Sequence, residues 1–120
     1  RNGAKIGIFG LSPDLQGLSS PEVINGIKFL DPVETAREMV GILKENNCDL
    51  IICLSHLGYS TDKPTQEVSD IILAESVNGI DLIVGGHTHT YLPEMQIIND
   101  TRIVQAKNKG TFVGKIIISN

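Results

Sequence analysis

The sequence predicts an α/β fold whose strands are partly parallel and whose C-terminal region carries an antiparallel hairpin. Three observations predict it. Two apolar runs of strand length, 49–54 and 81–84, each follow a segment with helical periodicity, which is helix–strand–helix–strand order. That order implies a parallel pair joined by a right-handed crossover. Two β-forming runs then flank Asn99-Asp100, the pattern of a hairpin.

The elements follow in chain order. Lys5-Ile6-Gly7-Ile8-Phe9-Gly10-Leu11 is a short apolar run ended by the turn chemistry of Ser12-Pro13-Asp14, so it reads as a buried strand. Residues 12–26 are rich in Ser, Pro, Gly and Asn and read as an irregular connection. At the first helix Asp31 can cap, Pro32 fits the first helical position and Glu34 stands three residues after the cap. Ala36, Met39, Val40 and Leu43 give it one apolar face, and Asn46-Asn47 ends it. The continuous run Asp49 to Leu54 has the pattern of a strand buried on both faces. A second helix is expected from Pro64 or Thr65, with Val68, Ile71 and Ile72 as its stripe and Gly79 as its stop. Asp81 to Val84 is the next buried strand. The hairpin pairs Met95–Ile98 with Arg102–Gln105, and Phe112 to Ile118 reads as a last strand.

Composition narrows the function. A chain of 120 residues allows one domain at most, and 41% hydrophobic residues is ordinary for a folded globular chain. A net charge of −4 leaves no basic footprint for nucleic acid. No apolar run approaches the ~20 residues of a membrane span. No signal peptide is visible, which carries little weight because Arg1 is not a natural start residue. Cys48 and Cys53 are five apart and would face opposite sides of a strand, so a disulfide between them is not expected. They read as small buried residues, with no Cys-x-x-Cys metal motif.

The two helix–strand units form a weak internal repeat. In each, a helix ends, an Asp opens an apolar strand, and a histidine follows the strand: Asp49 leads to Ser55-His56, and Asp81 leads to Gly86-His87. Ligands of open α/β sheets bind beyond the carboxyl ends of the strands, so both histidines belong to one edge. In Gly85-Gly86-His87-Thr88-His89-Thr90 the glycines let a ligand approach the backbone. In extended backbone His87 and His89 would face one way. Imidazole is a common ligand of zinc, iron and similar ions. The plainer reading is a loop with exposed histidines. Ser55-His56-Leu57-Gly58 alone would read as a structural histidine, but its place in the repeat raises it. His56, His87 and His89 are the candidate metal ligands, and they are all the histidines the chain has.

Other residues are set aside. Asp49 and Asp81 precede their strands and so lie at the opposite sheet edge, since six residues span roughly 20 Å. They read as helix-to-strand turn residues. Asp62 and Glu94 read as solvated loop or cap residues. Gly7-x-x-Gly10 lacks the spacing of a dinucleotide-binding turn, and no helix follows it promptly.

On these motifs the chain resembles the 5′-nucleotidase branch of the calcineurin-like metallophosphoesterases. Ser55-His56-Leu57-Gly58 is similar to that branch's fourth motif, and Gly86-His87-Thr88-His89 to its closing G-H-x-H motif. Lys5 to Leu11 is similar to the strand that opens the second half of the catalytic domain. Gln105-Ala106-Lys107-Asn108-Lys109-Gly110 through Gly114-Lys115-Ile116 resembles the closing β-segment. The likeness covers nearly all of the chain, and the two histidine motifs together are far more specific than either alone.

The resemblance implies that residues 1–120 are the C-terminal half of a catalytic domain, one half of a four-layer αββα sandwich, with the N-terminal half and a nucleotide-recognition domain outside it. It implies two divalent metal ions (zinc, manganese, iron or similar), with His56 and His87 on one and His89 on the other. Relatives often carry glutamine at the last position, which bears on metal preference. The implied reaction is hydrolysis of a nucleotide or related phosphate ester, with two ions clamping the phosphate and activating water for in-line attack. An extracytoplasmic or periplasmic setting is implied by the resemblance alone. The family's D-x-H, G-D and G-N-H motifs do not occur in this sequence. Two adjacent cations repel strongly, and three neutral imidazoles supply no anionic ligand between them. The chain alone is therefore expected to bind at most one transition metal weakly and to lack phosphatase activity. It would also expose a sheet edge and an uncovered face, to be met by the missing half or by another copy. Two alternatives remain. A non-catalytic metal-binding or interaction module could keep the fold without the activity. A metal-dependent amidohydrolase also uses H-x-H after a strand but needs histidines downstream, and none follows His89.

Overall fold

A computed structural model describes residues 3–61 and 67–118. Helix α2, Pro32–Glu45, starts where its cap lies: Asp31 accepts a hydrogen bond from the Glu34 amide at 2.8 Å. Its apolar face buries Ala36 and Val40, with Met39 and Leu43 packed beside them. A short helix, α1, Pro21–Ile24, interrupts the segment expected to be irregular, with Pro21 in its first turn.

Strands β1 (Ile6–Leu11), β2 (Leu50–Ser55), β3 (Leu82–Val84), β4 (Gln96–Ile98) and β5 (Thr101–Val104) form one sheet in the order β1-β2-β3-β5-β4. The first four of that order are mutually parallel, and β4 runs antiparallel on the edge. The expected hairpin is present, and its turn residues Asn99 and Asp100 both take positive φ, 45° and 69°. This is the left-handed pair that a tight two-residue hairpin requires.

The register sorts the side chains into two faces. Phe9, Ile51, Cys53, Ile83 and Ile103 share one face and are buried with Ala36, Val40, Leu73 and Ala74 of the helices. Ile8, Leu54 and Ile97 share the other face and are 56%, 51% and 61% exposed. The expectation that β2 is buried on both faces is thus corrected: among the described residues both larger helices pack on one side only. The result is one helical layer on one sheet.

Helix α3 spans Asp70–Ser76, and the start expected at Pro64 or Thr65 falls on residues outside those described. Ser69 stops it from starting earlier, because its hydroxyl accepts from the Ile72 amide as an N-cap. Val68 therefore precedes the helix, and Gly79 sits in the turn after its end with φ of 98°. The segment Phe112 to Ile118 is not a strand. No ladder pairs it, and its residues are exposed. Strand-forming composition cannot make a strand without a neighbour to bond. The cysteines are both free, Cys53 buried and Cys48 partly so. Among the described residues no helix is long and apolar enough to cross a membrane.

Candidate metal centre

Because β1, β2, β3 and β5 are parallel, their carboxyl ends meet at one edge. The backbone pairing continues a step beyond each strand. The His56 amide donates to Leu11 O at 2.9 Å, and the Gly85 amide donates to Val104 O at 2.8 Å. The repeat read from the sequence therefore has the predicted consequence: the His56 and His87 rings lie edge to face, centres 5.2 Å apart and planes at 63°.

The glycines of the loop make that approach possible. A Cβ on Gly86 would stand 3.0 Å from His56 Nδ1 and 3.5 Å from Ser55 O. Gly58, at φ of 93°, has Thr88 Cγ2 2.6 Å from where its Cβ would be. The two loops are also bonded to each other: the Tyr59 amide donates to Thr88 Oγ1 at 3.0 Å, and Thr88 Oγ1 meets Thr90 Oγ1 at 2.9 Å.

The two histidines of the G-H-x-H segment do not share an extended backbone. His87 has φ of 66° and His89 has φ of 55°. The Thr88 amide closes back onto Gly86 O at 2.8 Å, so His87 is the centre of a three-residue turn. A left-handed non-glycine residue costs of order 1–3 kcal/mol, and two of them flank Thr88. This turn corrects the expectation that both rings face one way. His87 goes to His56, whereas His89 Nδ1 lies 3.1 Å from Asn108 Nδ2.

Asp49 and Asp81 are where the turn reading puts them. Asp49 accepts from the Lys5 amide and Asp81 from the Ile51 amide, both at 2.7 Å, at the amino ends of the strands. Glu94 is exposed, and Asp62 lies outside the described residues.

Beneath the histidine loops is a buried polar cluster that the sequence did not reveal. Ser55 Oγ donates to Asp70 Oδ1 and accepts from the Leu57 amide at 3.1 Å. Asp70 is 0% exposed and its Oδ2 has no hydrogen-bond partner; both ends of the buried Gln105 amide are likewise unpartnered. A Cβ on Gly85 would collide with Asp70 Oδ2 and press on Gln105 Oε1 at 3.4 Å. Burial pushes the Asp70 carboxyl up to about 6, against the hydrogen bond from Ser55. It pushes the Cys53 thiol up to about 12, with the Asp70 charge adding to the effect. In the sequence, Asp70 looks like any acidic residue in a first helical turn.

The 5.2 Å between the His56 and His87 ring centres matches the spacing of two imidazoles on one tetrahedral ion, whose nitrogen ligands about 2.0–2.1 Å away put the centres roughly 5 Å apart. Among the described residues no group of three or more His, Cys, Asp or Glu side chains converges to complete such a site. The donor set present is a pair, with His89 held apart from it.

A family model described as calcineurin-like phosphoesterase matches residues 4–91, more than half of the chain. The chain is 38% identical over 123 residues to the trifunctional nucleotide phosphoesterase protein YfkN of Bacillus subtilis, covering 98% of this chain and 8% of that protein. It is 33% identical over 140 residues to a 5′-nucleotidase of Vibrio vulnificus, covering 96% of this chain and 25% of that one. Among solved structures it is similar to the Thermus thermophilus sulfate thiohydrolase SoxB, with a TM-score of 0.73 and 29% identity over 89% of this chain and 19% of the other. It is also similar to a 5′-nucleotidase precursor from the same organism, with a TM-score of 0.64 and 32% identity over 88% of this chain and 22% of the other. The chain thus spans a quarter or less of the length of these proteins.

Proposed function

The chain belongs to the calcineurin-like phosphoesterase family, and from that premise we propose that it is the histidine-bearing half of a metal-dependent phosphate-ester hydrolase domain acting on nucleotides or related esters. The observation that carries the reading is the meeting of His56 and His87 at the carboxyl edge of the sheet, 5.2 Å centre to centre. They would hold one divalent ion, zinc, manganese or iron by donor chemistry, and His89 would belong to a second. Such ions supply charge stabilisation and water activation to phosphate-ester hydrolysis. This chain's own part is to orient imidazoles: Gly86 leaves room for His56, and the Thr88–Thr90 hydroxyls tie the two loops together.

The remaining ligands, carboxylates above all, would come from sequence outside these residues. The open face of the sheet is where the other half of the domain would dock. Alone, the chain is expected to bind at most one transition metal weakly and to hydrolyse no phosphate ester. An extracytoplasmic setting is part of the same proposal, supported by the precursor form named for one structural relative.

The test is metal analysis after equilibrium dialysis, beside a phosphatase assay on a nucleoside monophosphate, for this chain, for the longer product of its gene, and for a His56→Ala/His87→Ala pair of each. Metal content should fall in the variants and hydrolysis should appear only in the longer product. Unchanged metal content in the variants refutes the ligand assignment, and robust hydrolysis by the chain alone refutes the half-site. A non-catalytic module that keeps the fold would bind metal through the same pair and show no hydrolysis in either form.

A further inference from the structure

We propose that Asp70 is the positioning residue of the histidine pair: through Ser55 it fixes the turn that carries His56 to His87. This deepens the reading of His56 and His87 as one site, and it rests on their meeting rather than on any metal.

One residue holds both ends of the Ser55-His56-Leu57-Gly58 segment. The Asp70 carboxylate accepts from the Ser55 hydroxyl, and the Asp70 amide donates to Gly58 O at 2.8 Å. The same Ser55 oxygen accepts from the Leu57 amide at 3.1 Å, which closes a side chain-to-backbone turn around His56. Asp70 also borders the other histidine loop. Its Oδ2 occupies the space where a Cβ on Gly85 would go, and Gly85 opens the segment that carries His87. Gly58, which the Asp70 amide holds, lies against that loop as well: a Cβ there would stand 3.4 Å from His87 Cδ2. A shift at Ser55 or Gly58 therefore moves one imidazole relative to the other.

The chemistry assigns the role to the carboxylate. A serine hydroxyl has one proton and rotates to suit its partners. With that proton committed to Asp70 Oδ1, a lone pair is left for the Leu57 N–H. The two bonds form a chain from the start of α3 into the turn, and in a buried setting such links reinforce one another. Ser55, Leu57 and Asp70 are all buried. Without the acceptor the hydroxyl is free to turn, and the Leu57 amide loses its fixed partner. Asp70 Oδ2 has no hydrogen-bond partner, so burying this carboxyl costs stability. Packing alone does not call for it, whereas an acceptor for Ser55 does.

The test is NMR of the isotope-labelled chain, read at three places: the NOE between the His56 and His87 rings, exchange of the Leu57 amide, and exchange of the α2 amides as reference. In the wild type the NOE should be present and the Leu57 amide protected. Asp70→Ala should abolish the NOE and speed Leu57 exchange about tenfold more than that of α2. Asp70→Asn keeps an acceptor toward Ser55 and should restore both. A merely structural role would speed Leu57 and α2 by one factor and leave the NOE in place, and that result overturns the proposal. So does a loss in Asp70→Asn as large as in Asp70→Ala. If Asp70→Ala fails to fold, Ser55→Ala cuts the same chain at its middle and is read in the same way. An unprotected Leu57 amide or a missing ring NOE in the wild type overturns the proposal without any variant. If these readouts hold while His56→Ala/His87→Ala leaves metal content unchanged, the positioning role stands and the ligand reading fails.

Discussion

Among the described residues Asp70 is the only buried carboxylate, and it has one oxygen bonded to Ser55 and the other unpartnered. A charge in that position lacks the partners that would make its burial tolerable. The carboxyl therefore titrates near 6 in the folded chain, against about 3.9 when unfolded. The sign follows from the direction. A raised folded value means that the unfolded chain ionises first, so stability is full below pH ~4 and falls as pH rises through about 6. Two pH units of displacement correspond to on the order of 3 kcal/mol. Asp70→Asn imitates the protonated form, and urea denaturation between pH 4 and 7 should show a much smaller fall for it than for wild type. Equal pH slopes would show that the buried carboxyl does not carry the effect. The same burial keeps the Cys53 thiol protonated, with its value pushed up to about 12. Its proximity to the histidine loops is thus no sign of a reactive thiol.

At the scale of elements, what was legible depended on how local the signal was. Helix α2 carries its whole signature within a few residues: Asp31 caps, Pro32 opens, and Ala36 and Val40 repeat on one face. Asp31→Ala removes the hydrogen bond to the Glu34 amide and should lower stability by about 1 kcal/mol, read from the urea midpoint with an unchanged slope. Asp31→Ser should recover most of it; no loss in the alanine variant would mean the cap is redundant. The hairpin was equally readable, because Asn99-Asp100 encodes its own turn. The start of α3 was not: it was expected at Pro64 or Thr65, which lie outside the described residues, whereas the described helix opens at Asp70 behind Ser69. The segment 112–118 shows the opposite failure. Its β-forming residues are plain in the sequence, but a strand is a relation to a neighbour, and among the described residues no ladder pairs it, although Phe112 stacks on Tyr91 with ring centres 4.2 Å apart. The site divides in the same way. His56 and His87 were found through a repeat of strand ends, whereas Asp70 and Asn108 make contacts 15 and 19 residues away that no local pattern announces.

For the whole molecule the decisive feature is the imbalance between the two faces of the sheet. The helices bury Phe9, Ile51, Cys53, Ile83 and Ile103 on one side. Ile6, Ile8, Leu54 and Ile97 are left 44–61% exposed on the other. The radius of gyration, 14.9 Å, exceeds the about 13.6 Å usual for a chain of this length. That excess fits a single sheet with an unpaired terminal segment. Exposed apolar side chains on one sheet face mark an interface where they cluster, as Ile6, Ile8 and Leu54 do on adjacent strands, because a monomer gains by removing them from water. The isolated chain should therefore self-associate with rising concentration, and sedimentation velocity should detect it in the micromolar range, on the order of 10 μM, where modest interfaces act. Ile8 and Leu54 lie on adjacent strands of the open face, so Ile8→Lys/Leu54→Lys should return the chain to monomer while leaving the helix-covered core intact. Thermal unfolding of the variant monomer separates the two effects: a cooperative transition shows that the core survived. A wild type that stays monomeric at several hundred micromolar (well above the range where such interfaces form) would mean that the open face is self-sufficient. It would also remove the reason to expect the proposed other half against it. If association occurs and the lysines abolish it, the face that copies of this chain use is the one the proposed other half would occupy. Adding that half should then displace self-association.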